Sequence, residues 1–167
     1  PMPQPPLMTI GQEWMELVLC DPMGMEVIQA IESDDDKAAK PFDERLVCHV
    51  EQARIGMDEP DLIRIIYELL GNALRFSDGT SKVFIHGRLE KDAYRLVVSN
   101  FGPSLPPDFA QLIGEFMQFD RQRQEQQGTG LGLSMVKALL ELNQARMNWL
   151  RTDGQPNSVE LLLRRLD

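Results

Sequence analysis

Cysteine is scarce in this chain. Its only two, Cys20 and Cys48, lie far apart and fit no metal or redox spacing. That excludes a disulfide scaffold and a cysteine-built metal centre, and it fits a reducing, cytoplasmic compartment. Basic residues are also short: 17 Lys and Arg against 26 Asp and Glu leave a formal net charge of -9. This argues against nonspecific nucleic-acid binding and against direct contact with an anionic membrane. No long hydrophobic run exists, because residues 62–74, the most apolar stretch, are broken by Arg64 and Glu68 and read as an amphipathic helix. A signal peptide, an internal repeat and a Gly-Lys-Ser or Gly-Lys-Thr ending are all missing, and the last absence excludes a P-loop. The first residue is Pro1, so we expect a fragment whose longer parent could carry a membrane anchor. What is present, 167 residues that are 43% hydrophobic, suffices for one domain with a real core.

Residues 1–6 are proline-rich and read as frayed, and residues 13–19 and 25–31 carry helical apolar spacing. Residues 33–40 are a charged loop. We therefore divide the chain into an N-terminal extension with helical stretches, 1–40, linking to an upstream region, and a folded domain, 41–167. Residues 45–54 alternate, with Leu46, Cys48 and Val50 on one side, as one half-buried strand. A turn at 56–60 leads to a helix over 61–76, started by Asp61 with Pro60 just outside. Its buried stripe is Leu62, Ile65, Ile66, Leu69, Leu70 and Ala73. After a turn at 77–81, strands over 82–89 and 94–100 join at Lys91-Asp92. Residues 101–107 form an irregular segment rich in glycine and proline, and 108–116 a short helix. A polar stretch over 120–127 reads as a lid, and a helix over 131–142 follows. Strands over 147–152 and 158–163 flank a turn at 153–157. Hairpins with helices between them predict an α+β two-layer sandwich with a mixed, mostly antiparallel sheet and helices on one face.

Two places in this order bear chemistry. Gly128, Gly130 and Gly132 alternate just ahead of a helix with a buried stripe that includes Leu133, Val136 and Leu140. Glycine lets backbone approach a ligand closely, and a helix start offers unpaired N–H groups to phosphate. A tight turn capping a core helix reads equally well from these residues alone. On the helix over 61–76, Glu68, Asn72 and Phe76 recur every four residues beside the apolar stripe. A half-buried carboxylate and amide need partners, which are either each other and water or a cation and a phosphate. Arg75 lies almost on that face and could reach a phosphate.

Taken together, the residues resemble a known family. Residues 68–77 resemble the N box of the GHKL ATPase superfamily, and more narrowly of bacterial sensor histidine kinases. Residues 98–106 are similar to its first glycine box, Phe116 to Phe119 to its F box, and 128–137 to its second glycine box. The order and separations match, and the resemblance covers about residues 46–163. It implies a Bergerat fold and the ATP-binding catalytic domain of a two-component histidine kinase. Such a domain transfers the γ-phosphoryl of ATP to a histidine on a separate dimerisation domain, and signals to a response regulator through the full-length protein. By the same resemblance Asn72 ligates Mg²⁺, Glu68 sits by the γ-phosphate as the catalytic residue, and Arg75 contacts phosphate. Phe76 packs on the base or ribose. Asn100, Gly102, Leu105, Phe119 and Ser158 belong to the nucleotide pocket, with Ser158 near the adenine. Thr129, Leu131 and Leu133 join Gly128, Gly130 and Gly132 in the phosphate loop.

The chain departs from the family in four respects. Asn100 stands where an aspartate usually accepts the adenine amino proton, and Ser104 where glycine is usual. Asn143-Gln144 replaces a glycine pair, and Gln155-Pro156-Asn157-Ser158 replaces Gly-x-Gly-Thr. The phosphoacceptor is absent, since the only histidines, His49 and His86, fall in expected strands without its context. Two alternatives therefore stay open: a degenerate kinase-like domain acting as an interaction module, and another GHKL-type ATPase with Glu68 as its hydrolytic base.

Overall fold

The computed structural model describes residues 6–21, 45–75, 82–101, 129–150 and 157–166, with only the backbone described at Arg75, Thr129, Gly130 and Leu131. Seven strands form one sheet among these residues: β1 (Met8–Ile10), β2 (Leu46–Val50), β3 (Ala53–Gly56), β4 (Val83–Leu89), β5 (Tyr94–Asn100), β6 (Arg146–Leu150) and β7 (Asn157–Arg165). Three helices accompany them: α1 (Gln12–Leu19), α2 (Glu59–Arg75) and α3 (Thr129–Leu142). The strand order is β1-β3-β7-β5-β4-β2, with β6 beside β7. Strand β7 is the hub. One flank pairs with β5 from Asn157 to Leu163, and the other is shared by β6 and the end of β3. Every pairing is antiparallel except β2 with β4. The expected α+β architecture with a mixed, mostly antiparallel sheet is therefore present.

Alternation sets the two faces of the sheet. Val83 and Ile85, then Tyr94, Leu96 and Val98, then Val159, Leu161 and Leu163 point inward and are buried. The whole expected α2 stripe covers them, joined by Leu133, Val136 and Leu140 of α3. Each such side chain contributes about 1.5–3 kcal/mol when taken out of water, so these rows fix how the helices dock. Met15 and Leu19 of α1 and Met8 and Ile10 of β1 belong to the same core. The Tyr67 hydroxyl of α2 donates to the Val18 carbonyl at 2.6 Å, and Trp14 Nε1 donates to Glu59 at 3.3 Å. Thus β1 and α1 pack into the core of the later residues, while the 40/41 boundary falls outside the described residues. Helical spacing over 25–31, the loop over 33–40, the helix over 108–116 and the lid over 120–127 also lie outside them.

Three local expectations change. The single strand over 45–54 is two strands in different parts of the sheet. After Val50, the Glu51 N–H donates to the Gly87 carbonyl at 2.9 Å and the Tyr94 hydroxyl donates to the Glu51 carbonyl at 2.6 Å. The chain leaves β4 there and joins β7 through β3. Gly87 makes room for this, since a Cβ would strike the Tyr94 phenol. Burial, then the Glu51 charge, pushes the Tyr94 hydroxyl well above its ordinary pKa, so it remains a donor. Second, α2 begins at Glu59, before Pro60. The Asp58 carboxylate accepts the Asp61 N–H at 3.2 Å and its carbonyl accepts that of Leu62 at 3.1 Å. Proline fits a first turn because its missing N–H has no partner there in any case. Third, α3 begins at Thr129, so Gly130 and Gly132 lie inside its first turn rather than ahead of it.

Strand β2 is the outermost strand on its side. The Gln12 amide covers part of its margin: Oε1 accepts the Val50 N–H at 2.8 Å and Nε2 donates to the Cys48 carbonyl at 3.0 Å. Burial, and secondarily the Glu16 charge, pushes the Cys48 thiol up to about 11, and the thiol lies within reach of Gln12 Oε1 as a donor.

Candidate functional site

The site grows from α2. Glu68 and Asn72 stand one turn apart and so share a face. The first turn of α3 packs against that face at Gly132, where an added Cβ would stand 2.8 Å from the Glu68 carboxyl carbon and would overlap its oxygen. Glycine here permits the close approach, since any side chain would have to displace the Glu68 carboxylate. The contact places a carboxylate of α2 beside the start of α3, where the first N–H groups have no intrahelical acceptor and the helix dipole is positive. The two stretches marked in the sequence for phosphate chemistry are thus joined in space.

Two buried amides bear on this site, one on α2 and one at the end of β5. Asn72 is 8% exposed and Asn100, on the neighbouring β5, is 6% exposed. The side-chain nitrogen of each has no hydrogen-bond partner. An unpaired buried donor costs about 1–3 kcal/mol, which singles out both positions as candidates for a ligand contact. Asn100 ends the inward row of β5, and directly across from it in β7 lies the buried Asn157. Among the described residues no three His, Cys, Asp or Glu side chains gather as a metal cage. A hard divalent cation at Asn72 would therefore complete its shell with phosphate oxygens and water, as Mg²⁺ commonly does. The cation would take the Asn72 oxygen, and the unpartnered Nδ2, a donor, would turn to a phosphate oxygen or a water.

The other expected site residues are placed unevenly. Leu133 is a core residue, 3% exposed. Thr129, Gly130 and Leu131 form the first turn of α3, and Arg75 ends α2. Ser158 is set on the opposite face of the sheet, its hydroxyl 2.8 Å from that of Ser99, because residues alternate along β7 and Asn157 takes the inward position. Phe76, Gly102, Leu105, Phe119 and Gly128 lie outside the described residues. His49 and His86 are cross-strand neighbours whose rings meet edge to face at 5.7 Å. Both are exposed on the sheet face away from the helices.

Asn157 was missed because residues 153–157 read as a turn. Its parity with Val159, Leu161 and Leu163 was the available signal. Asn143 was read as part of a modified turn. It is 5% exposed and clamps α3 to the start of α2. Its Oδ1 accepts the Asp58 N–H at 2.9 Å, and its Nδ2 donates to Asp61 Oδ2 at 2.9 Å and to the Leu139 carbonyl at 2.8 Å. Gln144 beside it takes φ 55°, the left-handed conformation that ends a helix and that glycine adopts at lower cost.

Comparison with known proteins follows the same lines. Residues 57–166 match the family described as histidine kinase-, DNA gyrase B-, and HSP90-like ATPase. An uncharacterized sensor-like histidine kinase of Rhizobium meliloti is 31% identical over 134 residues, covering 78% of this chain and 26% of its own length. The chain spans about a quarter or less of the curated relatives of this kind. Among solved structures, the nucleotide-free catalytic domain of histidine kinase ThkA aligns over 95% of both chains with a TM-score of 0.65 and 19% identity. Full-length ShkA in complex with AMPPNP aligns over 95% of this chain and 32% of its own with a TM-score of 0.62 and 18% identity. At such identities the structural likeness speaks for the fold.

Proposed function

The chain belongs to the histidine kinase-, DNA gyrase B- and HSP90-like ATPase family and is an ATP-binding catalytic domain of the histidine kinase kind; we propose that it moves the γ-phosphoryl of ATP to a histidine held on a separate dimerisation domain. The observation that carries this reading is the fit of Glu68 against Gly132, which sets a carboxylate beside the amides at the tip of α3. The triphosphate lies there. Backbone N–H groups at Gly128 and Gly130 cradle it, Gly132 lets Glu68 stand close by, and Arg75 adds a phosphate contact. Asn72 holds Mg²⁺, which when bound neutralises charge on the phosphates. Glu68 orients or deprotonates the incoming nucleophile. The bond from the γ-phosphorus to its bridging oxygen breaks, ADP departs with the electron pair, and an imidazole nitrogen takes the phosphoryl group. Neither His49 nor His86 is that acceptor, since both lie on the far face of the sheet. Phe76 and Phe119 pack around the base and ribose with Gly102 and Leu105, and a response regulator draws the phosphoryl from the full-length protein.

We place the domain in the cytoplasm. Among the described residues no helix is long and apolar enough to cross a membrane, and a full-length protein with a membrane anchor is compatible with that. Calorimetric titration with ATP, with and without Mg²⁺, tests the reading. Saturable binding that weakens without Mg²⁺, and loses its Mg²⁺ dependence in Asn72→Ala, is expected. No saturable binding at millimolar ATP overturns it.

A further inference from the structure

The base end of the site has a chemistry of its own. Asn100 closes the inward row of β5 behind Leu96 and Val98, with Val159 and the buried Asn157 beside it on β7. These apolar residues belong to the core beneath the helices, and the row ends in a side-chain amide whose Nδ2 is buried and unpartnered. The anion-favouring elements, the first turn of α3 and Asn72, are on the helices, so a nucleotide lying between them turns its heterocycle toward the sheet. The residue waiting there is an amide, and an amide is both a donor and an acceptor, whereas a carboxylate only accepts.

We propose that Asn100 reads the purine edge in two orientations, making the site tolerant of the 6-substituent, so that it takes 6-oxopurine nucleotides as well as ATP. This rests on the nucleotide site described above. Against adenine, Oδ1 accepts from the 6-amino group while Nδ2 donates to ring N1, a two-point contact of the kind asparagine makes to adenine in DNA. Against hypoxanthine the pattern is reversed, with an acceptor at O6 and a donor at N1. A half-turn of the terminal amide, whose torsion is broad and roughly two-fold, restores both bonds. In either orientation Nδ2 gains the acceptor it lacks. A carboxylate at this position would face O6 with lone pair against lone pair, so the neutral side chain forgoes a charge-assisted bond and gains breadth.

Calorimetric titration of this chain with Mg²⁺-ATP and Mg²⁺-ITP tests the proposal. The expected result is ITP affinity within about tenfold of ATP for the native chain. In Asn100→Asp we expect the ratio to widen by about tenfold or more in favour of ATP, the scale of one buried group left unpaired. Should the aspartate variant fail to fold by circular dichroism, Asn100→Ser replaces it. A hydroxyl also donates and accepts but cannot span two ring positions, so it should weaken both nucleotides by the same factor. Native binding of ATP with rejection of ITP by about a hundredfold overturns the proposal and leaves the ATP site intact. A ratio unchanged in Asn100→Asp, or changed in Asn100→Ser, also overturns it. Binding of neither nucleotide overturns the ATP reading itself, so the two failures are distinct.

Discussion

The antiparallel pair α2 and α3 is held differently at its two ends. Where α2 begins and α3 finishes, Asn143 uses its oxygen and both hydrogens of its amide on Asp58, Asp61 and Leu139. Toward the other end, where α3 begins, Asn72 and the nearby Asn100 leave their amide nitrogens bare. The three asparagines are buried alike, at 5%, 8% and 6% exposure. Residue type and depth therefore do not separate scaffold from site; satisfaction does. One end is finished by the chain itself, and at the other the proposed nucleotide would supply the missing acceptors.

The largest test of that contrast is to remove the amides. Asn143→Ala strands the Asp58 N–H and the Asp61 carboxylate and should lower stability by about 2–4 kcal/mol in urea unfolding. Asn72→Ala removes a group that already lacks a partner, so its unfolding midpoint should move by less than about 1 kcal/mol while nucleotide binding falls. Equal losses in the two variants would erase the distinction. Next in size is Gly132→Ala. Its methyl meets the flexible end of the Glu68 side chain, which must swing aside, so the cost should be about 1 kcal/mol or less. Truncating the facing side chain in Gly132→Ala/Glu68→Ala should recover most of that loss, and a double-mutant cycle measures the coupling.

The outer face of the sheet offers a control far from both ends. There the Arg95 hydrogen bond, helped by Asn148, holds the Glu160 carboxyl below its usual range against the opposing effect of burial. A carboxyl depressed in the folded state contributes stability at pH above its unfolded value. That stability is lost as pH falls below the ordinary carboxylate range toward the folded value. Glu160→Gln should therefore cost about 1 kcal/mol or less at pH 7 and flatten the acid limb of a stability–pH profile, with no change in nucleotide affinity. The smallest effect is a gain. Gln144→Gly relieves the left-handed residue beside the Asn143 clamp and should add about 0.5–1 kcal/mol, read as a rise of about 2–4 °C or less in Tm.

Periodicity in the sequence carried most of the fold. The α2 stripe, the β4–β5 hairpin and the inward row of β7 all follow from apolar spacing, because burial of one face is what spacing encodes. What spacing could not encode was a change of partner. Residues 46–56 alternate without a proline or an early glycine, yet the chain switches from β4 to β7 within them, and the cause sits elsewhere, in Tyr94 lying over Gly87. β1 has three residues, too few to show a period. Of the candidate site, Glu68, Asn72 and Gly132 were legible as motifs, and their meeting required the fold. Ser158 and the inward Asn157 differ by one residue, which in a strand is a change of face. Asn143 was legible only as a departure from glycine, and its use as a clamp depends on an aspartate pair far away in sequence.

The carboxamide of Gln12 has a consequence for how copies of this molecule treat each other. An open strand margin is a template on which another polypeptide can be zipped, and repeated zipping ends in fibres. Here one side chain imitates the missing neighbour, offering one acceptor and one donor at the spacing a peptide would. A single residue thereby blunts part of that margin, at Cys48 and Val50, without a whole extra strand.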